Sequence, residues 1–170
     1  TKYNPNRNII IIIASLYIIY IIRRNNIIHR NNIIFSKYIM KFVSITPENN
    51  NASDFISIIN SMPSFVKLYS PACGHCIAMQ EDWNNLKNSQ ELKNYNMAVI
   101  EVHANELDKI NSPSVSVNGG FPTIRKVLKS GKLGKDYNGD RSTKDMINFI
   151  KDEFKETLTK DKTMRSKSKS

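Results

Sequence analysis

Cysteine is nearly absent from this sequence: its 170 residues include two, Cys73 and Cys76. That scarcity excludes a disulfide framework. A bridge across so short a loop removes little entropy from the unfolded chain, and a domain of this length buries a core without staples. The two thiols are instead placed to react with each other. Metal ligands are scarce as well, because two cysteines with His75 or His103 make no standard zinc set. Haem attachment is excluded by Ile77, which stands where that motif needs histidine. No metal and no cofactor are expected beyond a redox-active Cys73–Cys76 disulfide.

Acidic residues are missing from positions 1–41, which carry seven basic ones, while positions 160–170 carry five basic residues against Asp161. The net charge of +10 therefore sits at the two ends and leaves the middle at about −1, without the basic footprint of a nucleic-acid-binding domain. A full-length apolar span is missing too. Ile9 to Ile22 is uncharged but holds only fourteen residues, about 21 Å as a helix against a bilayer core of about 30 Å. Snorkelling Arg7, Arg23 and Arg24 and interfacial Tyr17 and Tyr20 narrow that gap. A membrane anchor over residues 1–24 is the first reading, with the apolar part of a signal peptide or a buried core element as alternatives. No small-residue cleavage site follows Ile22, which favours retention. The sequence opens on Thr1, not methionine, so residues ahead of it are expected. Residues 25–40 read as a basic juxtamembrane linker, either lying on an anionic lipid surface or simply solvated.

A folded domain is expected over residues 41–156. Phe42 to Ile45 has strand character, and Ser53 is placed to cap a helix with Phe55, Ile58, Ile59 and Met62 on one face, stopped by Pro63. Phe65 to Tyr69 reads as a central strand interrupted by Lys67. A helix from about Gly74 to Lys87 offers Ile77, Met79, Trp83 and Leu86 for packing. Met97 to Val102 is a third strand, Leu107 to Ile110 a weaker helix, Thr123 to Leu128 a fourth strand and Lys135 to Tyr137 a short edge strand. The last helix, capped by Ser142 or Thr143, carries Met146, Phe149, Ile150 and Phe154. Residues 157–170 read as a disordered basic tail. This order suits an α/β fold with a central mixed sheet flanked by helices.

The stretch Ser70-Pro71-Ala72-Cys73-Gly74-His75-Cys76 ends a strand and opens a helix. At such a start the unpaired backbone N–H groups favour a thiolate on the first sulfur. With Gly120-Phe121-Pro122-Thr123-Ile124 and Tyr137-Asn138-Gly139-Asp140-Arg141 following in order, residues 41–156 resemble the thioredoxin superfamily, and the Cys-Gly-His-Cys motif resembles protein disulfide isomerase domains. The resemblance implies a thioredoxin fold and thiol-disulfide exchange on protein substrates, fed by an upstream oxidase or reductase. It makes Cys73 the attacking nucleophile and Cys76 the resolving thiol, with Gly74 and His75 between them modulating the pair. It also makes Pro122 a cis-proline that sets the Phe121 backbone against substrate, and Arg141 a mobile aid to Cys76. Lys67 departs from the family, which usually places an acid there. Proton transfer is then expected to rely on water or on Arg141. Ala72 replaces a shielding aromatic residue. A membrane-tethered reductase and a non-enzymatic partner-holding module are the alternative functions. The expected location is a secretory lumen such as the endoplasmic reticulum, or a virion membrane, although the basic residues after the apolar run favour a cytosolic domain.

Overall fold

The computed structural model describes residues 40–49 and 51–158. The expectations for the Ile9 to Ile22 run, the linker up to residue 39 and the tail from 159 onward lie outside them. Five strands form one mixed sheet in the order β1-β3-β2-β4-β5. They are β1 (Lys41–Ile45), β2 (Ser64–Tyr69), β3 (Ala98–His103), β4 (Thr123–Val127) and β5 (Leu133–Asp136). β1 and β2 both pair with β3 in parallel, whereas β4 runs antiparallel to β2 and to β5.

Alternation along the strands sorts the side chains into two cores. Phe65 of β2 and Val99 of β3 point to one face, joining Trp83, Met146, Ile150 and Phe154. Val66, Leu68 and Ile100 point to the other, where Phe55 and Ile59 cover them. Successive residues of a strand face opposite ways, so a strand buried on both faces must be apolar nearly throughout. Lys67 breaks that rule and is nevertheless fully buried.

Helix α1 (Ala52–Ser61) covers the second face, and α4 (Thr143–Glu153) packs on the first. The expected Ser53 cap is replaced: α1 begins two residues earlier than that cap implies, behind Asn51, without a side-chain cap bond. The expected helix Gly74–Lys87 is two pieces, α2 (Gly74–Ala78) and α3 (Gln80–Asn85), jointed at Met79 and followed by a 3-10 turn at Leu86–Asn88. Met79, Trp83 and Leu86 are buried as expected, but Ile77 is 64% exposed. Ile77 is off the face that Met79, Trp83 and Leu86 share at i, i+4 and i+7, so it points away from the sheet. The weak helix expected at Leu107–Ile110 is a 3-10 segment over Ala104–Lys109, and β5 starts two residues before the expected edge strand and ends one residue before its end. At the start of α4 the cap is Ser142, whose Oγ accepts the Asp145 N–H at 3.2 Å. Thr143 instead ties α4 to α3, donating its N–H (2.8 Å) and hydroxyl (2.6 Å) to Asp82 Oδ1. The folded part runs past the expected boundary at 156, because Thr157 is buried and Leu158 bridges Tyr95.

Candidate functional site

The site forms where β2 ends. Cys73 is the cap residue of α2 with extended backbone, and its carbonyl accepts the N–H groups of Cys76 and Ile77 at 3.0 and 3.1 Å. This short turn places Cys73 partly exposed and Cys76 buried beside it, both as free thiols. Across from them, Phe121–Pro122 is a cis peptide bond, and the Cys73 thiol donates to the Phe121 carbonyl at 3.2 Å. Gly119 and Gly120 lead into that bond at φ of 78° and 119°, a region in which side chains with a β-carbon are strained.

The two sulfurs are electrostatically unequal. The Cys73 thiol is held below its ordinary value, chiefly by the Cys76 thiol hydrogen-bonding to it, then by the backbone N–H groups of Cys76 and His75 and the Arg141 charge. Cys76 is pushed up to about 11, mainly by burial and then by that same bond to Cys73. Hydrogen bonds to the charged form favour it, and removal from water disfavours it.

Arg141 and His75 share a recess of about 300 Å³ with Met79, Asp82, Asp140 and Ser142. Arg141 has a left-handed backbone, φ 69°, and its N–H donates to Tyr137 Oη at 2.9 Å. Tyr137 Oη in turn donates to Asp145 Oδ2 at 2.7 Å. The arginine is therefore held by a turn, not carried on the helix it precedes. Gly74 has an open position, since a β-carbon there would meet nothing within 4 Å. The structure thus brings Cys73, Cys76, His75, Phe121, Pro122 and Arg141 to one end of the sheet, with Lys67 beneath them.

Lys67 is not isolated. Parallel register sets it opposite Glu101 of β3, and Ser44 of β1 faces the same residue. Lys67 Nζ lies 2.9 Å from Glu101 Oε2 and donates to Gln80 Oε1 at 2.9 Å, over the Trp83 ring at 4.6 Å. Gln80 Nε2 donates to Glu101 Oε2 at 3.2 Å and Ser44 Oγ to Oε1 at 3.0 Å. Burial pushes the Lys67 ammonium below its ordinary value, with the Glu101 charge opposing that shift. Burial works against the Glu101 carboxylate, but the Lys67 charge and the hydrogen bonds from Lys67, Gln80 and Ser44 outweigh it and hold the group below the usual range. The carboxylate missing from position 67 is thus supplied by the neighbouring strand. Sequence reasoning missed Glu101 and Gln80. The available signal was a second charge inside a second apolar strand, at the position that parallel pairing sets against Lys67. A recess of about 240 Å³ lined by Tyr69, Ser70, Pro71, Cys76, Ile77 and Gln80 opens the network to the surface.

Among the described residues no three His, Cys, Asp or Glu side chains gather as metal ligands, and no helix is long and apolar enough to cross a membrane. The family model Thioredoxin matches residues 46–152. Protein disulfide-isomerase 1 of Dictyostelium discoideum is 28% identical over 114 residues, covering 66% of this chain and 30% of that protein. Protein disulfide-isomerase 2-3 of Arabidopsis thaliana is 34% identical over 111 residues, covering 64% and 24%. The chain spans less than a third of the length of these two relatives. In fold, it is similar to the J-Trx1 fragment of ERdj5, with a TM-score of 0.51 at 21% identity, covering 70% of this chain and 52% of that one. With the sheet order, the dithiol at the end of β2 and the proline facing it all in place, this chain belongs to the thioredoxin family, with a domain of the protein disulfide isomerase type.

Proposed function

We propose that the chain is a thiol-disulfide oxidoreductase that exchanges disulfides with protein substrates through Cys73 and Cys76. The observation that carries this reading is the inequality of the two sulfurs: one accessible with its pKa lowered, the other buried and raised to about 11. The Cys73 thiolate attacks one sulfur of a substrate disulfide, forms a mixed disulfide and expels the other substrate sulfur as a thiolate, which takes up a proton. Cys76, once deprotonated, attacks Cys73 and expels the first substrate sulfur, leaving the Cys73–Cys76 disulfide and a reduced substrate. The reverse sequence oxidises a dithiol. Isomerisation follows when a substrate thiol resolves the mixed disulfide. The Phe121 carbonyl beside Cys73 marks where an extended substrate backbone lies.

Deprotonation of Cys76 is the demanding step, because a thiol at about 11 holds its proton at neutral pH. We propose that the proton leaves through solvent entering the recess that Cys76 and Gln80 line, toward the Glu101 carboxylate bonded to Gln80, while the Lys67 charge favours the thiolate. Arg141, on the other side of the pair, favours the Cys73 thiolate. Names of the relatives support protein substrates, and disulfide-forming chemistry suits a secretory lumen such as the endoplasmic reticulum. Membrane attachment through Ile9 to Ile22 rests on sequence alone.

Turnover of a scrambled disulfide protein tests the reading. Activity abolished by Cys73→Ser, with a trapped mixed disulfide in Cys76→Ser, is expected; unchanged turnover in Cys73→Ser would refute it. A reduction potential near −180 mV fits the isomerase direction and one near about −270 mV a reductase.

A further inference from the structure

Charges without ion-pair partners among the described residues are mostly acidic at one end of the sheet and basic at the other, Arg141 and Lys144 being the basic exceptions at the cysteine end. At the cysteine end, Glu48 follows β1, Asp108 follows β3, and Asp82 and Asp140 line the Arg141 recess. None of these four acids has an ion-pair partner among the described residues. The opposite end is built from the start of β1, the 93–97 segment, the β4–β5 turn and the residues after α4. Exposed Lys41, Lys93, Lys129 and Lys132 lie there, also without ion-pair partners among the described residues. Its acid, Glu156, is already held by Lys126 at 2.9 Å.

The same end is partly apolar. Leu128, Leu133 and Leu158 are exposed by 37%, 46% and 45%, and a shallow recess of about 440 Å³ runs between Met62, Asn96, Leu128, Lys129 and Thr157. Both ends of the described chain also emerge here. The Lys41 N–H donates to the Met97 carbonyl at 3.0 Å, and Leu158 bridges Tyr95. The segments joined at these points carry the excess basic charge, with no acid before Lys41 and one acid against five basic residues at 160–170. The cysteines lie beyond the far ends of the strands, about 20 Å away along β2.

We propose that this end of the domain is a docking surface for an anionic lipid bilayer and holds the dithiol facing away from it. Lysines near such a surface each contribute favourably and lose their effect within a screening length. Exposed leucines between them supply apolar contact with the interface. Charge complementarity selects this occupant: the lysines here are free to meet anions, and the acids at the other end repel them. The inference is independent of the redox reading and does not require Ile9 to Ile22 to span the bilayer.

The test uses the full chain in a Cys73→Ser/Cys76→Ser background, labelled with an environment-sensitive dye at Ser61→Cys near the recess or at Asn118→Cys by the active site. On mixed phosphatidylserine and phosphatidylcholine vesicles at low salt, the dye at 61 is expected to report an apolar environment and the dye at 118 is not. High salt should abolish the response. Lys129→Glu/Lys132→Glu should weaken it by about tenfold or more, while the charge-matched Lys87→Glu/Lys144→Glu leaves it unchanged; thermal melting checks that each variant is folded. Equal responses at both labels, no response at 61, or an undiminished response on pure phosphatidylcholine would overturn the proposal. So would an equal response to a duplex nucleic acid, which would make the surface a general polyanion site.

Discussion

Single residues set the chemistry. Cys73 and Cys76 are the same side chain three positions apart, and hydrogen bonds to the first with burial of the second make one reactive and the other reluctant. Alkylation of Cys73 is expected to follow a midpoint below the ordinary thiol value of about 8.5 and to fall about tenfold per pH unit beneath it. Removing the Arg141 charge in Arg141→Gln should move that midpoint up, because the guanidinium favours the thiolate. A mass-spectrometric pH titration of iodoacetamide labelling reads both. Glu101→Gln keeps the hydrogen-bonding shape and removes the proton acceptor. It is expected to slow resolution of the mixed disulfide while leaving the Cys73 alkylation midpoint nearly in place, measured by quenched-flow release of substrate thiol.

Elements set the positions. The Lys67–Glu101 pair exists because β2 and β3 run parallel in a register that brings two charged residues together between apolar neighbours. Glu101→Leu strands a buried ammonium and is expected to cost about 3–5 kcal/mol, whereas Lys67→Met/Glu101→Leu together are near neutral. Urea unfolding measures both. The sign with pH follows from the direction of the Glu101 shift. Its folded pKa is depressed, so its stabilisation is present above the unfolded value of about 4.3 and lost as pH falls through the folded value. That loss should disappear in the double variant. The turn before α4 is a second such case. A β-carbon on Gly139 would overlap the Asp145 carboxylate and come within 2.7 Å of the Tyr137 ring. Gly139→Ala is therefore expected to destabilise by about 1–3 kcal/mol and to loosen the Arg141 turn, lowering Tm in a thermal melt.

The whole molecule places an aromatic core under the site. Phe65 stacks on Trp83 at 5.4 Å and meets Tyr137 and Phe154 edge-on at 6.0 and 6.4 Å. Phe65→Ala should cost about 3–5 kcal/mol in denaturant unfolding, whereas exposed Ile77→Ala stays within about 0.5 kcal/mol. An equal cost for both would contradict the burial seen here. At the same scale, the uneven distribution of unpaired charges and the position of Lys41 and Leu158 away from the cysteines give the domain a front and a back.

Local signals made much of this legible. Alternation and apolar runs marked the strands, Pro63 ended α1, and the pair of cysteines with Pro122 and Arg141 marked the site, because those constraints act over a few neighbouring residues. The joint at Met79 was not legible, since Met79, Trp83 and Leu86 share one face of a continuous helix equally well, whereas the exposure of Ile77 follows from that same spacing, which sets it on the opposite face. Residues 1–24 kept only their sequence reading. What sequence by itself determined is the chemistry: two thiols, their spacing, and the turn that presents the first. The tertiary structure alone decided which carboxylate stands against Lys67 beneath the thiols. Glu101 is thirty-four residues from Lys67 in the chain, and only sheet pairing, which joins residues by strand register and not by sequence distance, sets its carboxylate against that ammonium.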